Sequence, residues 1–230
     1  YRLVAVESRG RYHVDASGTS HLAIERLAAR HGPTRLKSIA AITVERNGDW
    51  TARFDPLSTE GLQADVDFRR ALPAGLREIV TALDPQKTID LAGMIELRGA
   101  GDPGFPLTAA WNLNMKLAGG RITAGVHLDD VHGRIHTRGQ WFGRHAEIDG
   151  QLDLDSVKVW GYRFERVTGP FRLEDRHLVV GSKRAFESAK PGEPWKVIPL
   201  NERVTARAID GLFTLDAQAQ LVDRPTYHVK

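Results

Sequence analysis

Cysteine is missing from this chain of 230 residues. Its absence removes disulfides, zinc–thiolate sites and cysteine nucleophiles, and it suits an oxidising compartment. Charge of one sign is also missing: 32 basic against 29 acidic residues leave +3. No basic block with interleaved aromatics occurs, so nothing in the sequence calls for a nucleic-acid partner. No apolar run approaches the roughly twenty residues of a membrane-spanning helix, and no signal peptide opens the chain. Both ends, "YRLVAV" and "PTYHVK", read as strands, so a piece of a longer protein is expected, with any anchor or export signal outside it. What is present is a hydrophobic content of 41%, enough for a folded core.

Gly99, Gly101 and Gly104 have the G-x-G-x-x-G spacing that can cradle a dinucleotide pyrophosphate. That chemistry needs a helix to start at the third glycine. Here Pro103 and Pro106 flank it, and Leu107, Ala109, Trp111, Leu113, Met115 and Leu117 then alternate with Asn112, Asn114 and Lys116. Before the glycines, Ile89, Leu91, Gly93, Ile95 and Leu97 alternate with Asp90, Glu96 and Arg98. A period of two on both sides predicts two strands, with the glycines as a hairpin connector and no cofactor.

The same alternation runs through "RITAGVHL" (Ile122, Ala124, Val126, Leu128), "RVTGPFRL" (Val167, Gly169, Phe171, Leu173) and two short runs around Gly211. In Val131–Asp155, a two-residue turn at Phe142 and Gly143 would set Arg138 opposite Glu147, His136 opposite Asp149, Arg134 opposite Gln151 and His132 opposite Asp153. One face then carries complementary charge and the other Val131, Ile135, Ile148, Leu152 and Leu154. His127, His132 and His136 could suggest a metal centre, but His132 and His136 on one strand lie about 13 Å apart, too far to share an ion. The carboxylates Glu147, Asp149, Asp153 and Asp155 are spaced as the polar face of a strand rather than as a glycosidase pair. No serine sits in a nucleophile elbow. No metal and no enzymatic activity are expected.

One segment is helical: "RRALPAGLREIVTALDP", Arg69 to Pro85, places Leu72, Leu76, Ile79, Val80 and Leu83 on one face. The expected organisation is a strand segment over 1–68, a short amphipathic helix over 69–85 as lid or crossover, antiparallel strands over 86–182, a loop over 183–202 that includes "KPGEPWKVIP", and further strands over 203–230. The fold class is mainly β: long antiparallel strands in a twisted, curved open sheet, with a β-sandwich as the alternative. With one helix to cover many apolar strand faces, either the sheet covers itself or its apolar face is a binding surface.

"VDFRRALPAGLREIVTALDPQKTIDLAGMIEL", "VHGRIHTRGQWFGRHAEIDGQLDLDSVKVWGYRFERVTGPFRLEDRHLVVGS" and "VIPLNERVTARAIDGLFTLDAQAQL" resemble the repeats of AsmA-like and TamB-like bacterial envelope proteins. Ile79-Val80 and Gln86-Lys87 depart from the helical unit of that group, where a Trp neighbourhood and a Gly are expected. The resemblance spans Leu22 to Leu221 and, by analogy with "HLAIERLAARHGPTRLKSIAAITVERNGDW", makes Leu22 to Ala29 a strand. It implies a segment of an inner-membrane-anchored, periplasmic bridge that conducts phospholipid between inner and outer membranes along an apolar β-groove. The expected acyl-chain contacts are Ile89, Leu91, Ile95, Leu97, Trp111, Leu113, Met115, Leu117, Ile122, Val126, Ile135, Ile148, Leu152, Leu154 and Phe171. A non-enzymatic envelope scaffold or assembly factor is the alternative.

Overall fold

A computed structural model describes residues 5–102, 104–143, 145–186, 198–221 and 226–229. The alternating segments form one open antiparallel sheet. It starts with β1 (Ala5–Val14), β2 (Ser20–His31), β3 (Thr34–Val44) and β4 (Trp50–Gln63). Two helices, α1 (Val66–Ala71) and α2 (Ala74–Leu83), precede β5 (Thr88–Gly99), β6 (Thr108–Ala118), the short β7 (Arg121–Thr123), β8 (His127–Phe142), β9 (His145–Val159) and β10 (Tyr162–Glu174). The chain ends in short strands: β11 (His177–Val180), β12 (Val204–Ala208), β13 (Gly211–Leu215), β14 (Ala217–Gln220) and β15 (Thr226–Val229).

From β1 to β6 and from β8 to β10 the sheet is a meander, each strand pairing with its neighbour, and β6 pairs with β8. Beyond β10 it splits. The second half of β10 pairs with β11 (Phe171 opposite Val180), and that branch continues through β14 to β15. The first half pairs with β12 (Glu165 opposite Arg207), which carries β13. A buried carboxylate ties the split together. Asp216, fully buried between β13 and β14, accepts hydrogen bonds from the Ser182 backbone N–H at 2.8 Å, just past β11, and from Arg203 Nε at 2.7 Å, just before β12. A buried charge needs such partners.

The glycines after β5 do serve as a hairpin connector, and Leu22 to Ala29 is strand. Three expectations need correction. The helical segment is two helices, starting at Val66: Pro73 disfavours helical backbone at Leu72, which sits at φ −77 and ψ 145, so the chain breaks there and restarts. Asp65 caps the first helix by accepting from the Phe68 N–H at 2.8 Å. "RITAGVHL" is no single strand, because Gly125, at φ 80, turns it into a hairpin in which Ile122 faces Leu128 and Val126 lies in the turn. The β8–β9 register is offset by two: Phe142 pairs with His145, so Arg138 faces Asp149, Arg134 faces Asp153, His136 faces Gln151, and a bulge sets His132 against Ser156. An even offset keeps every side chain on its expected face. Of the loop over 183–202, residues 187–197 lie outside the described residues.

One feature of β1–β4 bends the sheet. Register shifts fall at Arg9/Gly10, Ile24/Leu27, Ser38/Ala40 and Phe54/Leu57, side by side on neighbouring strands. Stacked bulges add a common bend and local twist. Ser38 holds the crease: its hydroxyl, on a buried residue, donates towards the carbonyls of Ile39 (2.8 Å) and Pro56 (2.9 Å).

Candidate functional site

The pairing registers stack the apolar residues into rows that cross the sheet. One row runs Ile24, Ala40, Phe54, Ile95, Trp111, Gly139, Ile148 and Leu173. The next runs Leu27, Ser38, Leu57, Gly93, Leu113, Thr137, Gly150, Phe171 and Val180. A third runs Ala29, Leu36, Thr59, Leu91, Met115, Ile135, Leu152 and Gly169. Leu97 lies in a flanking row with Ala109 and Trp141; Ile89, Leu117 and Leu154 lie in a flanking row on the other side. The sheet thus brings the expected contact residues of β5, β6 and β8–β10 onto one face, where Ile122 of β7 packs against the cluster that includes Leu117 and Leu154, while Val126 lies in the turn.

The floor owes its low relief to glycines. A Cβ at Gly139 would overlap the Trp111 indole, one at Gly150 the Phe171 ring, and one at Gly99 the Trp50 indole. Each ring lies flat over a neighbouring strand where a side chain would otherwise stand.

Coverage divides the floor in two. Over β6–β11, α2 lies on the sheet: Ile79 is buried against Ala109, Trp141, Ala146, Leu173, Leu178 and Leu221, with Leu97, Trp111, Ile148 and Phe171 packed around them. An exposed ion pair between Arg176 and Glu78 links α2 to the β10–β11 turn. A second cluster buries Leu117, Leu154, Val131, Val157, Val167, Val204 and Ala206, with Ile89, Ile122, Ile135 and Leu152 against it. The remaining floor belongs to neither cluster. It comprises Leu91, Ile95, Leu113 and Met115 on β5 and β6 and continues through Phe54 and Leu57 to Ile42, Leu36, Leu22, Ile24 and Leu27. Neighbouring strands are about 4.8 Å apart, so this strip from β2 to β6 is about 19 Å across. Half of a bilayer's hydrocarbon core is about 15 Å.

The opposite face is ionic. Glu96 takes Arg53 and Arg98, Asp149 takes Arg172, and Asp130 takes Lys158 at 3.0 Å and His132 at 3.0 Å. The hydrogen bond from Lys158, then that from His132, holds the Asp130 carboxyl below its ordinary value. His136 meets Asn114 and His127 meets Thr123. His127, His132, His136 and Asp130 thus each have a hydrogen-bond or ion-pair partner on this face.

The floor residues on β2–β4 were invisible to strict alternation. Each bulge inserts extra residues between apolar positions, Glu25-Arg26 between Ile24 and Leu27 and Asp55-Pro56 between Phe54 and Leu57, so the parity of the pattern changes mid-strand. A charged or Pro-containing doublet between two apolar residues is the signal that could have revealed them.

Compared with protein-family models, curated proteins and solved structures, the chain matches none.

Proposed function

We propose that the apolar floor of this sheet is a lipid-binding groove, and that the chain is a segment of a periplasmic, inner-membrane-anchored bridge that conducts phospholipid between inner and outer membranes. One observation carries the proposal: the strip from Ile24 to Leu113 and Met115 crosses five strands, is apolar apart from Ser38 and Thr59, and lies outside both packed clusters. The sequence resemblance to AsmA-like and TamB-like proteins supports it independently. Such a groove needs no reacting group. An acyl chain leaving a bilayer for water loses about 0.8 kcal/mol per methylene, and a continuous apolar floor removes that cost while the head group stays in water.

A second reading, a self-covered envelope scaffold, draws on the other half of the floor, where α2 and the β12 branch pack on the sheet. Mass spectrometry of organic extracts from the purified protein separates the two. Wild type should carry co-purifying phospholipid that is absent from a Leu113→Asp/Met115→Asp variant with an unchanged circular dichroism spectrum. A folded, monomeric, lipid-free wild type overturns the groove in favour of the scaffold.

A further inference from the structure

The β9–β10 and β12–β13 hairpins end in two-residue turns whose conformation and residues disagree. Trp160 (φ 51) and Gly161 (φ 84) form one, Ile209 (φ 46) and Asp210 (φ 60) the other, each closed by the strand pair around it, Val159 with Tyr162 and Ala208 with Gly211. Left-handed backbone at both central positions favours Asn, Asp or Gly at the first, and a β-branched residue there is a genuine outlier. At the β10–β11 turn the left-handed position is held by a suitable residue, Asp175 at φ 53. At these two tips the preference is broken by a tryptophan and an isoleucine that are 68% and 86% exposed.

The two tips are neighbours. Glu165 lies opposite Arg207, so extending that antiparallel register by two residues sets Ile209 beside Arg163, next to the Trp160 turn. Around them Tyr162 is 63% and Leu212 65% exposed. Arg166 and Arg207 are also exposed and take part in no ion pair among the described residues, whereas Arg163 is paired with Glu165.

We propose that these paired tips are a bilayer-docking site that inserts Trp160 and Ile209 into the interface of an anionic phospholipid membrane. Three features select a bilayer as the occupant. The apolar residues stand on convex apices rather than on a flat or hollow surface. The hairpin pairing satisfies the backbone within the tips, as entry into an apolar phase requires. A Trp and a Tyr, side chains suited to the headgroup level, share this edge with two guanidiniums free to meet lipid phosphates, Arg207, two residues from Ile209, and Arg166, about 13 Å along β10 from Tyr162. Strain retained at two side chains this exposed points to a role outside the chain. The inference is independent of the groove: the tips stand at a rim, and none of their residues is part of the floor.

The test is sedimentation of the purified chain with vesicles of phosphatidylcholine alone and of phosphatidylcholine with phosphatidylglycerol. Wild type should bind the anionic vesicles and weaken with added salt. Trp160→Asn/Ile209→Asn should lose about tenfold or more in binding while its melting temperature stays level or rises, because asparagine fits the turn. Arg166→Gln/Arg207→Gln should lose about fivefold per residue on anionic vesicles only. Wild type that ignores both vesicle types, or tip variants that bind as wild type does, overturns the proposal. Concentration-dependent self-association of wild type that the Asn variant abolishes, without vesicle binding, overturns it in favour of a protein contact. Leu113→Asp/Met115→Asp should sediment as wild type does, so a failed groove and a failed tip are told apart.

Discussion

Replacing Ile79 with alanine tests the division of the floor into a half packed under α2 and a half outside that cluster. Ile79 is the buried residue of α2, 5% exposed, while Leu76, Ala82 and Leu83 are only half-buried around it. A ten-residue helix is marginal in water on its own, so its order depends on this contact. Truncating a buried Ile to Ala costs about 2–5 kcal/mol. The site is a two-layer contact open at its margins, which places the loss near the lower half of that range, about 3 kcal/mol. If α2 opens as a separate unit, amide exchange over 74–83 should accelerate about a hundredfold, with β6, β8 and β9 little changed. Trp141, buried beneath the helix, should shift its emission to the red as the helix lifts. Equal acceleration in α2 and in the strands would refute a separable cover, as would unchanged exchange in both.

Other sites give sharper local outcomes. Asp216→Ala should cost about 3 kcal/mol in urea unfolding, the low end for a broken buried pair, because the Arg203 side chain keeps 24% of its surface and can find water; Ser182 N–H also loses its acceptor. Gly150→Ala should cost about 1–3 kcal/mol by driving the Phe171 ring off the floor, which a shift in that ring's NMR contacts to β9 would report. The Asp84 carboxyl, held below its ordinary value of 3.8 first by the hydrogen bond from Arg69 at 2.6 Å, ties the two helices together. A depressed value means that the tie is complete above about pH 4 and is lost as pH falls through the folded-state value; a carboxyl NMR titration should find its midpoint below 3.8, and a midpoint at or above 3.8 would sever this link.

Much of the fold was legible because the period of two survives burial on one side. Ile89 to Leu97 and Ala109 to Leu117 alternate without interruption, and the structure pairs them residue for residue. The β8–β9 register was missed by two, since Phe142-Gly143 and the residues after it offer several turn positions and charge complementarity is satisfied by either register. Bulges hid the β2–β4 floor, where Glu25-Arg26 and Asp55-Pro56 change the parity. The split after β10 was hidden for another reason. Two short strands compete for one edge, and long-range bonds invisible to periodicity, among them those of Asp216 to Ser182 and Arg203, tie the branches in place. The turns at Trp160 and Ile209 were not legible, because a left-handed apolar residue leaves no trace in periodicity.

The groove claim meets its most direct test in site-resolved photo-crosslinking with a phosphatidylethanolamine that carries a diazirine on its acyl chain. The account predicts adducts on floor residues of β2–β6, concentrated at Leu91, Ile95, Leu113 and Met115, and few on Asn112, Asn114 or Lys116 of the opposite face. Adducts spread equally over both faces, or none above a head-group-labelled control, would contradict it.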